Sequence, residues 1–180
     1  MNTSFYSKRF KLGRVGMIVP LSNTNLEPDC NLLLPSGVSV HFTRLGGYDK
    51  DVTPGIEEMR DLAMSSVDEI LELLMAAKVD VIGYGCASAT LSCGLKFDQQ
   101  LRESMEAKAG IPVVTVAGAM VEALAALNAK KIGFTSPYVS DLNRKSASFF
   151  EEAGIHTVNF ADHPKTLTSV DQGGMTPQDV

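Results

Sequence analysis

The chain has 180 residues, 44% hydrophobic and 21% charged, which is the balance of a soluble globular protein with room for one sizeable core or two small ones. Its net charge of −5 argues against a nucleic-acid binder, and the one basic cluster, Lys8-Arg9-Phe10-Lys11 with Arg14, reads as a solvated arm. The longest apolar stretch, Val113 to Leu127, is interrupted by Glu122 and is too short to span a bilayer.

The N-terminus lacks the apolar core of a secretory leader. Three cysteines without a CxxC pair, and three histidines far apart (His41, His156, His163), give neither a disulfide framework nor a metal-ligand spacing. A reducing, cytoplasmic setting is expected.

Residues 1–13 read as a polar lead. Arg14 to Pro20 is the first predicted strand, stopped by its proline. Leu21 to Asp29, LSNTNLEPD, is a loop rich in turn and cap residues, and a short helix is expected over 27–34. Val38 to Leu45 is the second strand, with His41 as a half-buried, hydrogen-bonded member. Gly46 to Val52 reads as a mobile flap. Thr53-Pro54 is read as an N-cap followed by proline at the first helical position. Ile56, Met59, Ala63, Val67, Ile70, Leu71 and Leu74 then recur at helical spacing, a stripe assigned to core packing.

Val79 to Gly83 is a β-branched run suited to a strand buried on both faces. It ends in Gly83-Tyr84-Gly85 and hands over through Cys86 to the small residues Ala87-Ser88-Ala89-Thr90, which open a helix. That order places Cys86 at the carboxyl edge of a sheet, where the backbone N–H groups of a helix start favour its thiolate. The bland alternative is a buried cysteine acting as a small hydrophobe.

Phe97 to Lys108 is an amphipathic helix closed by Gly110. Ile111 to Val116 is the fourth strand, Ala117 to Asn128 an alanine-rich helix, and Lys130 to Thr135 the fifth strand. Ser140 or Asp141 is expected to cap a helix to about Glu152, ended by Gly154, and Ile155 to Phe160 is the sixth strand. Alternation of strand and helix implies right-handed crossovers: an α/β fold with an open, mostly parallel sheet flanked by helices. In the tail, Gly173-Gly174-Met175 reads as flexible. Thr176-Pro177 repeats the helix-start signature with no helix after it, so a partial form of a longer protein is expected.

Ligands of open parallel sheets bind beyond the carboxyl ends of the strands. Ser22 to Asn25, Cys86 and Ser88, Gly118, and Ser136 with Tyr138 fall there, an inventory of neutral donors and one thiol that suits a small carboxylate or dicarboxylate. No GxGxxG or Walker-type lysine favours a nucleotide cofactor. Asn23 and Ser88 have simpler readings as turn or cap residues, and Tyr138 as a seal on top of the sheet.

The segments PLSNTNLEP (20–28), GCAS (85–88) and SPY (136–138) resemble the Asp/Glu racemase superfamily, in the branch of maleate cis-trans isomerases and arylmalonate decarboxylases. The resemblance runs through most of the chain in element order. It implies two pseudo-symmetric α/β halves with the site between them and no cofactor. Here these correspond to a first, Rossmann-like half over 14–128 and the start of a second over 129–180, apparently truncated. It further implies Cys86 as the nucleophile, Asn23 and Tyr138 as carboxylate ligands, and the N–H groups of Ala87 and Ser88 as an oxyanion pocket. The implied reaction is maleate-to-fumarate isomerisation through a cysteine adduct; the alternatives are a racemase or decarboxylase using an enolate, or a non-catalytic carboxylate-binding domain. The family's second cysteine lies in its second half, and no cysteine follows Cys93 here; Cys93 and Cys30 are read as core. A chain with an incomplete second half would expose apolar surface, so a homodimer is expected.

Overall fold

A computed structural model describes residues 12–46, 51–65 and 67–179. Most of the N-terminal lead with its basic cluster, and residues 47–50 of the expected flap, lie outside the described residues. Four parallel strands form the main sheet in the order β2-β1-β3-β4: β1 Gly13–Pro20, β2 Val38–Leu45, β3 Val81–Tyr84 and β4 Val113–Thr115. β1 is central, pairing Gly13–Pro20 with Val38–Leu45 on one side and Val15–Ile18 with Val81–Tyr84 on the other. Ile18, Val19, Ile82 and Tyr84 are accordingly buried on both faces of the sheet. A separate parallel pair joins β5 Lys131–Ser136 to β6 His156–Asp162.

The helices are α1 Leu26–Leu33, α2 Ile56–Met64, α3 Asp68–Ala76, α4 Ala87–Cys93, α5 Leu95–Ala109, α6 Val116–Ala126, α7 Ser140–Glu152 and α8 Ser169–Gly173. α4 is the hub: it packs on α2, on α5 and on α7. Through α7, whose Leu142, Phe149 and Phe150 are buried, the β5–α7–β6 unit is held against the elbow that follows β3. His41 is half-buried in β2, its Nε2 3.0 Å from Ser39 Oγ, as expected.

Local details differ from expectation where short-range chemistry competes. The apolar stripe from Ile56 to Leu74 is indeed core, but it lies on two helices. The Ser65 hydroxyl donates to Leu62 O (2.6 Å) and draws the chain out of α2. Thr53-Pro54 does not start α2; Gly55 is the N-cap, and its N–H donates to Glu58 Oε2 (2.9 Å). The fourth strand is shorter than expected because the Thr115 hydroxyl accepts the Gly118 N–H (3.0 Å) and starts α6 at Val116. α7 is capped by neither Ser140 nor Asp141, which are its first two residues after the N-cap Val139. Gly94, at φ +90°, ends α4 and lets α5 depart in a new direction.

The tail is more ordered than its glycines imply. A reciprocal pair, Asp171 N to Thr168 Oγ1 (3.2 Å) and Thr168 N to Asp171 Oδ2 (3.2 Å), starts α8. Thr176 caps only a 3₁₀ turn, Pro177–Asp179. Cys30 is also unlike its expectation: no residue of α1 is buried, so it is half-exposed, whereas Cys93 packs against the core.

Candidate functional site

Beyond the carboxyl ends of β1 and β3 lies a cleft of about 290 Å³. Gly85 forms its floor. The Gly85 N–H donates to Ile18 O (2.7 Å), and a Cβ there would stand 2.8 Å from that carbonyl and 2.4 Å from Leu26 Cδ2. Only glycine lets α1 approach so closely. Cys86 follows as the N-cap of α4 in extended conformation, so its side chain sits at the first turn with Ala87 and Ser88, and all three line the cleft.

The Cys86 sulfur is 3.6 Å from Ser88 Oγ, whose hydroxyl donates to Met59 Sδ (2.9 Å). The Ser88 hydroxyl favours the thiolate when its one proton turns from Met59 to the Cys86 sulfur, and the Ala89 N–H favours it too, but burial outweighs both and pushes the Cys86 thiol above its ordinary value. The expectation of a thiolate favoured by the helix start is therefore reversed: with Cys86 only 5% exposed, desolvation exceeds what a short helix supplies. Tyr84 lies fully buried below, its hydroxyl without a partner and held protonated by burial.

Asn23 enters from the loop after β1. Its Oδ1 accepts the N–H groups of Asn25 (3.0 Å) and Leu26 (2.9 Å), so the turn-and-cap reading holds, and the Nδ2 donors are what it has left for a ligand. The loop itself is pinned from β2. Arg44 Nη1 donates to Pro20 O (3.3 Å), Leu21 O (3.3 Å) and Asn23 O (2.8 Å), while Nη2 pairs with Glu27 Oε1 (2.9 Å). Arg44→Ala is expected to cost about 1 kcal/mol, limited because the side chain is 37% exposed, and to speed hydrogen exchange at the Asn25 and Leu26 amides; a urea midpoint and exchange rates equal to wild type would contradict this clamp.

Tyr138 closes the opposite wall, half-buried against the main core. Its N–H donates to Ser136 Oγ (3.1 Å), and the Ser136 hydroxyl donates to Asn143 Oδ1 (2.5 Å), so Ser136 shapes the turn and does not line the cleft. Gly118 lies elsewhere, at the start of α6. Asn23, Cys86, Ala87, Ser88 and Tyr138 thus share one cleft, whereas Gly118 and Ser136 do not.

Sequence reasoning missed the roof. Ser169, Gln172 and Gly173 of α8 line the cleft, and Gly173 O accepts the Thr24 hydroxyl (3.2 Å). The Thr168-x-x-Asp171 spacing was the signal for it. Pro54 and Met59 complete the apolar side, and no charged side chain is among the lining residues described. Among the described residues no group of His, Cys, Asp and Glu side chains is placed to hold a metal ion, and no helix is long and apolar enough to cross a membrane.

Residues 15–172 match the family model for arylmalonate decarboxylase. A Pseudomonas putida maleate isomerase is 30% identical over 152 residues, covering 81% of this chain and 61% of the relative. An arylmalonate decarboxylase of Bordetella bronchiseptica is 25% identical over 138 residues, covering 77% of this chain and 52% of the relative. The crystal structure of a Cys-to-Ala variant of the maleate isomerase Iso from Pseudomonas putida S16 with maleate superposes with a TM-score of 0.74 at 27% identity, covering 83% of this chain and 63% of that one. The chain spans about half to three-fifths of the length of these curated relatives.

Proposed function

This chain belongs to the arylmalonate decarboxylase family, and from that premise we propose that it carries the nucleophile-bearing part of a cofactor-independent cis-trans isomerase of a small unsaturated dicarboxylate, of the maleate type. The observation that carries the reading is one uncharged cleft holding a thiol, a carboxamide, a hydroxyl and a phenol at a helix start. The similarity to maleate isomerases, stronger than that to the decarboxylase, favours isomerisation over an enolate decarboxylase or racemase.

In the proposed cycle the Cys86 thiol first gives its proton to solvent. The thiolate attacks one alkene carbon, forming the S–C bond, while the π pair moves onto the neighbouring carbon and its carboxylate as an enediolate. The Nδ2 of Asn23, the phenol of Tyr138 and the N–H groups of Ala87 and Ser88 are the donors for the carboxylates and the new charge. Rotation about what is now a single bond, then breakage of S–C, returns the pair to the alkene and regenerates the thiolate in the trans product. Addition, rotation and elimination consume no net proton, and a cysteine of the second half, as the resemblance implies, would serve as acid and base. With neutral donors only among the described lining residues, dianion binding there rests on directed hydrogen bonds, which discriminate by geometry.

Residues 14–128 are proposed as one α/β half and 129–180 as the beginning of the other, a division supported by Cys86 and Tyr138 reaching one cleft from different sheets. A cytoplasmic setting belongs to the same proposal, because Cys86 must stay a free thiol. A homodimer is supported by the exposure of Leu32, Leu33 and Leu127 and is checked by light scattering; a monomer at all concentrations removes it.

The test is incubation with maleate followed by proton NMR, with trapped adducts located by mass spectrometry. Fumarate is expected, together with a succinyl adduct on Cys86 formed where an acid quench delivers a proton to the enediolate carbon. Maleate binding with neither product nor adduct would reassign the chain to carboxylate binding, and conversion of an arylmalonate or an amino acid instead would reassign the reaction.

A further inference from the structure

The turn that carries Tyr138 to the cleft is built around a buried carboxamide. Asn143 lies in the first turn of α7, the helix that follows Tyr138, and is fully buried. Its Oδ1 accepts the Ser136 hydroxyl at the end of β5 (2.5 Å). Its Nδ2 donates to Asp162 Oδ1 at the end of β6 (2.8 Å) and to Tyr138 O in the turn itself (3.4 Å). The Ser136 oxygen in turn accepts the Tyr138 N–H (3.1 Å).

Counting donors leaves one arrangement. Asp162 Oδ1 and Tyr138 O only accept, so the NH2 of Asn143 must face them and its oxygen must face Ser136. The Nδ2 bond holds the Asp162 carboxyl below its ordinary range, which keeps it an acceptor. With the Ser136 proton spent on Asn143, the Ser136 oxygen is left to accept. Pro137 has no N–H, so that of Tyr138 is the first main-chain donor after Ser136, and it takes that place. Every polar atom of the carboxamide is thus committed. A buried network so satisfied fixes one geometry, whereas an apolar side chain of the same size would leave the turn free to choose others.

We propose that Asn143 is a positioning residue: it grips the Tyr138 main chain at the carbonyl directly and at the N–H through Ser136, and so sets the phenol at the cleft wall. Asp162 anchors this grip to β6, so the second sheet holds one wall of the cleft in register with the first. The inference rests on the reading of Tyr138 as a carboxylate ligand for its functional meaning, whereas the grip itself concerns only the turn.

The test combines fluorine NMR of fluorotyrosine-labelled protein, with the Tyr138 line assigned by its loss in Tyr138→Phe, and maleate affinity from calorimetry. Asn143→Leu keeps the side-chain volume and suits a helix, but removes all three bonds. It is expected to shift or broaden the Tyr138 line. It is also expected to raise the maleate dissociation constant about tenfold, but less than about twofold in a Tyr138→Phe background, where the grip has no phenol left to place. Should Asn143→Leu fail to fold, Ser136→Ala, which removes only the acceptor of the Tyr138 N–H, is expected to show the same pattern at about threefold. An unchanged Tyr138 line would overturn the grip, and an equal loss of affinity with and without the phenol would overturn the positioning role. The fluorine line needs no substrate, so a failure of the isomerase reading would appear separately, as absent maleate binding or turnover in a wild type whose Tyr138 line still answers to Asn143.

Discussion

Cys86→Ala is expected to lower maleate turnover by more than about a thousandfold while leaving maleate affinity within a few-fold of wild type. The asymmetry follows from the division of labour proposed for the cleft, in which the sulfur would make the bond that permits rotation while Asn23, Tyr138 and the N–H groups of Ala87 and Ser88 would bind the carboxylates. The fold should be little affected, because alanine keeps the N-cap backbone and removes one buried atom. Wild-type turnover is expected to rise with pH. Burial raises the thiol, so the nucleophile is neutral below its shifted value and ionised above it, and the half-point lies on the alkaline side of an ordinary cysteine. Isotope-labelled maleate followed by NMR, with binding measured by calorimetry, reads both quantities. An alanine variant retaining more than about one part in a hundred of the activity would mean that another group does the chemistry.

Gly85→Ala is expected to cost about 1–3 kcal/mol and to displace α1 from the cleft. The added methyl would stand 2.4 Å from Leu26 Cδ2 and 2.8 Å from Ile18 O. Leucine can turn away, but the Ile18 carbonyl is fixed in the central strand and already accepts the Gly85 N–H at 2.7 Å. Relief therefore comes from moving the elbow or the loop, and the Asn23 cap goes with it. Set against total stabilities of about 5–15 kcal/mol, that is a large loss. Gly46→Ala, where nothing lies within 4 Å, is the control and should stay within about 0.5 kcal/mol. Urea unfolding separates the two, and equal midpoints for both variants would show that the elbow is not tight.

β2 was legible to the residue, and β1 and the elbow at Cys86 nearly so, because glycine, proline and β-branched runs act through the backbone of their own neighbourhood. Asn23, Cys86, Ala87, Ser88 and Tyr138 could be placed at one cleft from their position after strands, since a parallel sheet sends such loops to one edge, whereas Gly118 and Ser136, named by the same rule, lie outside it. Tertiary structure decided what depends on distant partners. The tail that reads as flexible becomes α8 and roofs the cleft once the Thr24 hydroxyl meets Gly173 O. Asn23 proves committed to capping α1, with Arg44 from the next strand holding its loop. The protonation of Cys86 was beyond sequence for the same reason: position at a helix start is local and favours the anion, whereas burial is set by residues as remote as Met59 and carries the larger cost. Local order determined where the thiol stands, and long-range packing determined the state in which it waits.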